Sequence, residues 1–299
     1  MGGPAVPQFA AAVSNAGALG MLALARSPDA GAAVRELRGL TQRPFGANFG
    51  LHLDQHERVD AALDAGLRIV SLFWGDPSSY AERIHDAGAL LLHTVGSAEE
   101  AKRAVAAGVD VVVAQGYDAG GHVWGQVGTL ALVPAVVDAV TPTPVIAAGG
   151  IGDGRGVAAV IALGAQAAWV GTRFLMAEEA PVHEHYRRRL IDADETDALW
   201  FPELFDGGWP NAPHRALRNA TIDAWEAAGR PANGSRPGEG ERVGTRPDGS
   251  PVERYASVTP VEGMDGDIDA MSLWAGQSVA LARRVEPAAA IVAELVSRL

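Results

Sequence analysis

The chain has 299 residues, 48% hydrophobic and 20% charged, a globular composition that suits one large barrel-type domain or two ordinary ones. A formal net charge of −12 argues against nucleic acid and anionic membrane as partners, and no apolar run reaches the roughly 18 residues of a membrane-spanning helix. The absence of cysteine excludes disulfides, thiolate metal sites and a thiol nucleophile.

The chain opens on a helical pattern, P-Q-F-A-A-A-V-S-N-A-G, with no strand before it and no signal-peptide pattern, so a cytoplasmic location is expected. Short apolar runs bounded by Gly, Pro or Asp follow at 18–24, 44–50, 68–74, 90–95, 109–115, 144–149 and 167–172. Such runs read as buried parallel strands. Ala-rich helical stretches lie between them, and several stop at Ala-Gly. The alternation predicts an α/β fold, a TIM (β/α)8-type barrel. Seven strands are counted where a closed barrel has eight, so the first is expected to be missing ahead of Met1.

After about residue 185 the character changes. Residues 186–228 predict two or three helices, 229–252 read as a lid or a disordered segment, and 269–282 and 287–299 predict two closing helices. The expected organisation is a barrel over 1–185, a smaller helical insertion over 186–270, and C-terminal helices over 271–299 that return to the barrel.

In such barrels the strands' C-terminal ends carry the chemistry. Gly149 and Gly150 in A-A-G-G-I-G-D-G-R-G, and Gly171 and Thr172 in W-V-G-T-R-F-L, form the last two strand-end loops, where barrels commonly hold a phosphate. Asp153 or a neighbour is expected to cap the following helix, and Arg155 or Arg173 could assist. In A-Q-G-Y-D-A-G-G-H, Gln115 ends a strand, Gly116, Gly120 and Gly121 leave room above it, and His122 overhangs the mouth, able to take a proton or face an anion. Asn48 ends F-G-A-N-F, and its carboxamide, like that of Gln115, suits a flat heteroaromatic ring. A phosphate site, two amides and one histidine together describe a site for flavin mononucleotide (FMN). No metal is expected: His52 and His56 lack a third ligand, and His183 and His185 do not share a helix face. Lys102, the single lysine, lies on a helical pattern and offers no Schiff base.

The order and spacing of A-Q-G-x-x-A-G-G-H, A-A-G-G-I-x-D-G-R-G and W-V-G-T-R-F resemble the nitronate monooxygenase family, formerly 2-nitropropane dioxygenases. The stretches A-A-A-V-S-N-A-G-A-L-G, F-G-x-N, L-F-D-G-G-W-P-N-A-P-H-R and A-G-Q-S fit the same pattern. The resemblance implies an FMN barrel with a smaller helical domain over its mouth. It implies that His122 is catalytic, that Asn48, Gln115, Gly120, Gly149, Gly150, Gly171 and Thr172 bind FMN, and that Gln277 closes the site near the flavin. Met1 stands where the family's first strand ends in A-P-M. The implied reaction is oxidation of an alkyl nitronate such as propionate 3-nitronate, or of a nitroalkane, by O2, and a homo-oligomer is compatible with it. A related NAD(P)H-dependent reductase of quinones or enoyl thioesters is the nearest alternative, although the enoyl reductases tend to carry A-E-G where Gln115 stands here. A non-catalytic flavin-binding paralogue is the second alternative.

Overall fold

The computed structural model describes residues 2–299. All seven expected strand runs form strands: β1 (Gly20–Ala23), β2 (Phe45–Gly50), β3 (Ile69–Phe73), β4 (Leu90–Val95), β5 (Val111–Gln115), β7 (Val145–Ala148) and β8 (Ala167–Trp169). A two-residue strand, β6 (Gly121–His122), follows β5. The seven make one parallel sheet in the order β1-β2-β3-β4-β5-β7-β8. Helices α1 (Pro7–Asn15), α2 (Ala30–Leu40), α3 (His56–Asp64), α4 (Ser78–Asp86), α5 (Ala98–Ala106), α6 (Thr129–Val140) and α7 (Gly154–Ala162) alternate with the strands. The fold is α/β, of the (β/α)8 barrel type. Among the described residues β1 and β8 are the two edges and do not pair with each other. The expectation for Met1 lies outside the described residues.

Alternation along each strand separates two apolar layers. Ala47, Phe49, Val70, Leu72, Leu91, Val112 and Ala147 belong to the main core with the helices. Leu92, Val113 and Ala148 form a separate cluster with Ile69, Val111, Ile146 and Trp169, which fills the barrel interior. The same alternation turns Asn48, Ser71 and Gln115 inward, with Asn48 in register beside Ser71. Four of the chain's helices begin at Asp29, Ser97, Asp153 and Asn219, each accepting a first-turn backbone N–H. The last helix, α10 (Ala288–Val296), packs on α1 and α7.

The segment after 185 departs from the helical expectation. Helices α8 (Glu184–Asp192) and α9 (Ala220–Ala227) are present, but strands β9 (Ala198–Phe201) and β10 (His214–Leu217) lie between them. Each is four residues long, too short for its period to show, and both are fixed by distant pairing in a sheet of order β6-β10-β9. The stretch 229–252 is neither a bare lid nor disordered: it carries β11 (Arg242–Thr245) and the start of a hairpin with β12 (Pro251–Glu253), and β13 (Asp265–Gly266) completes that sheet. Its organiser is an ionic cluster rather than an apolar face. Arg236, only 8% exposed, donates to the Leu204 carbonyl and to Asp206, both at 2.8 Å, pairs with Glu239, and lies over the Tyr255 ring. The expected helix over 269–282 is replaced by two 3-10 turns, Ile268–Ala270 and Gln277–Leu281, because Gly276 threads in extended form against the loop that bears His122.

Candidate active site

His122 does not rest on the barrel alone. Its strand β6 pairs antiparallel with β10, setting His122 opposite His214 and Gly121 opposite Arg215. Val123 N–H donates to the Pro213 carbonyl at 2.8 Å, and Gln115 Nε2 lies 3.4 Å from the His122 carbonyl. Arg215, 3% exposed, extends the clamp by donating to the carbonyls of Tyr117, Ala119 and Ala198. A barrel loop thus receives its shape from the insertion.

Aromatic rings surround the imidazole. The Trp209 ring stacks on it at 4.0 Å and on His52, on its other face, at 3.5 Å. Trp74 meets His122 edge-on at 6.3 Å, and Trp274 is tilted at 5.3 Å. Trp74 holds φ at 72°, a costly backbone conformation for a tryptophan, directly after the end of β3. Burial holds the His122 pKa well below 6.5, assisted by His214, His52 and Arg26. Burial likewise takes His214 to about 4. His214 is neutral with an assignable tautomer: its Nε2 accepts from Phe205 N–H at 3.2 Å, so Nδ1 donates to the Ala212 carbonyl at 2.9 Å. His122 Nε2 lies 3.5 Å from Ser257 Oγ.

The glycine loops meet around one another. Thr129 Oγ1 donates to the Gly149 carbonyl at 2.9 Å, Gly276 N–H to Thr172 Oγ1 at 3.0 Å, and Gln277 N–H to the Asp118 carbonyl at 3.0 Å. Gly149 and Gly150 hold successive φ values of 98° and 70°, a geometry that only glycine adopts at little cost. A Cβ on Gly116 would stand 2.0 Å from Thr129 Oγ1, and one on Gly120 would stand 2.3 Å from Ala275 C and Gly276 N. Those two glycines make room for the chain's own loops rather than only for a ligand. At Gly121 and Gly171, by contrast, a Cβ would meet nothing within 4 Å. Gly120→Ala is therefore expected to force the 275–277 segment off the His122 loop and to destabilise the protein by about 3 kcal/mol or more. Urea unfolding of the variant against wild type measures this.

Ser71 Oγ, Trp209 Nε1 and both ring nitrogens of His52 are buried without a hydrogen-bond partner, and such groups are costly to leave unmatched. Ser71 stands in register beside Asn48, and His52 and Trp209 stack next to His122 at the barrel mouth. Together with the bare backbone at Gly121 and Gly171, they fit a flat ring rich in donors and acceptors and carrying a phosphate.

A family model described as nitronate monooxygenase matches residues 1–57 and 52–298, nearly the whole chain. The chain belongs to the nitronate monooxygenase family. A nitronate monooxygenase of Paraburkholderia phytofirmans is 32% identical over 99% of this chain and 89% of its own length. A (3aS,4S,5R,7aS)-5-hydroxy-7a-methyl-1-oxo-octahydro-1H-indene-4-carboxyl-CoA dehydrogenase of Mycobacterium tuberculosis is 36% identical over 77% of this chain, which spans 64% of that enzyme's length. Among solved structures, FabK from Thermotoga maritima superposes with a TM-score of 0.80 at 29% identity, covering 100% of this chain and 90% of that one. A nitroalkane oxidase from Streptomyces ansochromogenes gives 0.78 at 32% identity, covering 100% and 93%.

Within this family member the residues singled out in the sequence divide into three groups. His122 and Gly121 share the clamped loop, Gln115 ends β5 beneath it, and Asn48 faces inward from within β2. Gly149, Gly150, Gly171 and Thr172 form the second group, joined to the His122 loop through Gly120, Gly276 and Gln277. The Gln277 side chain lines a surface depression of about 610 Å3 with Tyr117, Trp200 and Arg215, a depression that does not include His122. The third group is engaged elsewhere. Asp153 caps α7 as expected, but its carboxylate takes the N–H groups of Arg155 and Gly156 as well as the Arg155 side chain. Arg173, 2% exposed, pairs with Glu286 and Glu294 under α10. Arg173 is thus consumed by two glutamates beneath α10, whereas Arg155 pairs at the surface with the cap of its own helix. His52 lies in a turn before α3 and His56 begins that helix, so the two share no helical face. Sequence reasoning missed Trp74, Trp209, Trp274, His52 and His214. The Phe73-Trp74 pair at a strand's C-terminal end was a usable signal; the others come together only through the insertion.

Proposed function

We propose that this chain is a flavin-dependent oxidoreductase that binds FMN and uses O2 to oxidise alkyl nitronates, small anions of the propionate 3-nitronate type. The observation that carries the reading is a half-buried neutral imidazole, clamped by β10, at a barrel mouth that also carries two bare glycine loops, in a chain of this family. Asn48, Gln115 and Gly121 would hold the ring, and Gly149, Gly150, Gly171 and Thr172 the phosphate. When bound, FMN supplies electron exchange between substrate and O2. The chain's own part is positioning and proton management. The aromatic rings of Trp74, Trp209 and Trp274 exclude water around His122. His122 in its neutral form either donates a hydrogen bond to a nitronate oxygen or accepts an α-proton through its free nitrogen. With its pKa depressed it is a weak base, which favours a nitronate that has already lost its proton over a neutral nitroalkane.

One observation favours a second reading. The M. tuberculosis relative, at 36% identity, is named a dehydrogenase of a CoA thioester, so a reductase or dehydrogenase of acyl thioesters competes. A single preparation separates the two. FMN-loaded protein given propionate 3-nitronate in air, without nicotinamide, is expected to consume O2. Anaerobic bleaching of the flavin by NADH or NADPH, with none by the nitronate, would establish the reductase instead. Bleaching by none of them would leave a flavin-binding protein without turnover.

A further inference from the structure

The groups that ring His122 are uncharged: histidines held neutral, indoles, and amides. A cation stands just outside them. Arg26 follows the end of β1 by three residues and so lies on the barrel rim that carries Asn48, Gln115 and His122. Its Nη2 donates to the Gly208 carbonyl at 2.7 Å. Gly208, at φ 85°, has no side chain, and a Cβ there would stand 3.3 Å from Arg26 Nη2, so bare backbone lets the guanidinium lie against this loop. The next residue is Trp209, the ring stacked between His122 and His52. The charge of Arg26 contributes to lowering both imidazoles, which places it within electrostatic reach of the site. Arg26 is exposed and pairs with no carboxylate among the described residues, whereas Arg173 and Arg236 are consumed by acidic partners.

We propose that Arg26 is a specificity-determining residue that binds the carboxylate at the far end of an acid-tailed substrate whose reacting end lies at His122. This rests on the oxidoreductase reading above and adds the residue that selects among its substrates. A guanidinium presents paired donors that match a carboxylate. In a chain of net charge −12, a cation at the mouth also offsets the general repulsion of an anion. A tail carboxylate competes with the Gly208 carbonyl for Nη2. Tail binding thereby releases the Gly208–Trp209 segment, whose indole covers one face of His122.

The test compares propionate 3-nitronate with propyl-1-nitronate, equal in carbon number and different in the tail carboxylate, on wild type, Arg26→Ala and Arg26→Lys. The ratio of kcat/KM, acid-tailed over neutral-tailed, is expected to fall about ten-fold or more in Arg26→Ala and to recover in part in Arg26→Lys. Dissociation constants of 3-nitropropionate and 1-nitropropane, read from quenching of tryptophan fluorescence, should show the same order without any turnover. A ratio in Arg26→Ala that stays near wild type, or an equal loss on both substrates, overturns the proposal; the second result would assign Arg26 to holding the Trp209 loop. Should wild type oxidise neither nitronate, the nitronate reading falls, and the fluorescence comparison alone decides whether Arg26 reads the tail.

Discussion

His122→Asn is expected to lower turnover by about 10²–10⁴-fold, the usual worth of a positioned proton-transfer group, while the flavin stays bound. Asparagine keeps a polar side chain of similar reach but cannot exchange a proton near neutral pH. The residues proposed to hold the phosphate lie on the loops after β7 and β8, and Asn48 lies within β2, so none of them depends on the imidazole. The backbone of residue 122 remains tied by its pairing with β10. Flavin content from the visible spectrum, beside O2 uptake on propionate 3-nitronate, separates the two effects. Equal kinetics in the variant would remove His122 from the mechanism. The pH profile adds an independent reading. Burial holds the His122 pKa well below 6.5, so the neutral form persists as pH falls through 6.5. Any limb of kcat/KM due to His122 in the free enzyme must therefore lie on the acid side of that value.

The barrel was legible because its signal is local. Each strand run from Met21 to Trp169 is apolar on both faces and bounded by Gly, Pro or Asp, and a parallel sheet sandwiched by helices demands that composition. Gln115 was legible for a related reason, since a polar residue at the C-terminal end of such a run stands out against the valines before it; Asn48 stood out as the one polar group in F-G-A-N-F, and His122 as a histidine after a Gly-Gly pair. The insertion was not legible because long-range pairing sets it. His214-Arg215-Ala216-Leu217 has no strand period of its own, and it becomes β10 because β6 and β9 offer edges on both sides. The 229–252 stretch lacks an apolar face and still folds, since Arg236 gathers Leu204, Asp206 and Glu239 around one buried charge. Gly120 shows the limit of reading glycines one at a time. Its missing side chain serves Gly276, about 150 residues on, and spacing alone cannot distinguish that from room for a ligand.

The buried histidines also set how the protein tolerates acid, with stability falling steeply as pH drops from 6.5 to about 4. His93 and His214 are 5% and 0% exposed, and burial is the leading cause that lowers each to about 4 from 6.5. In the unfolded chain both take up protons near pH 6.5; in the folded chain they resist until about pH 4. Across that window the unfolded state binds more protons, so acidification favours it, and the stability present above 6.5 is lost as pH falls through the folded value. Each residue contributes about 3 kcal/mol to that loss, enough for two of them to consume a large part of an ordinary domain's stability. His93 offers the cleaner test because its Nδ1 is buried without a partner. His93→Leu removes both the titration and the orphaned nitrogen while approximately keeping the volume. Urea unfolding at several pH values between 7 and 4.5 should give a shallower decline for His93→Leu than for wild type, with the curves converging or crossing at neutral pH. Carboxylates titrate in the lower part of the same window in both proteins, so only the difference between the curves reports His93. Parallel curves would mean that water reaches the imidazole in the folded protein.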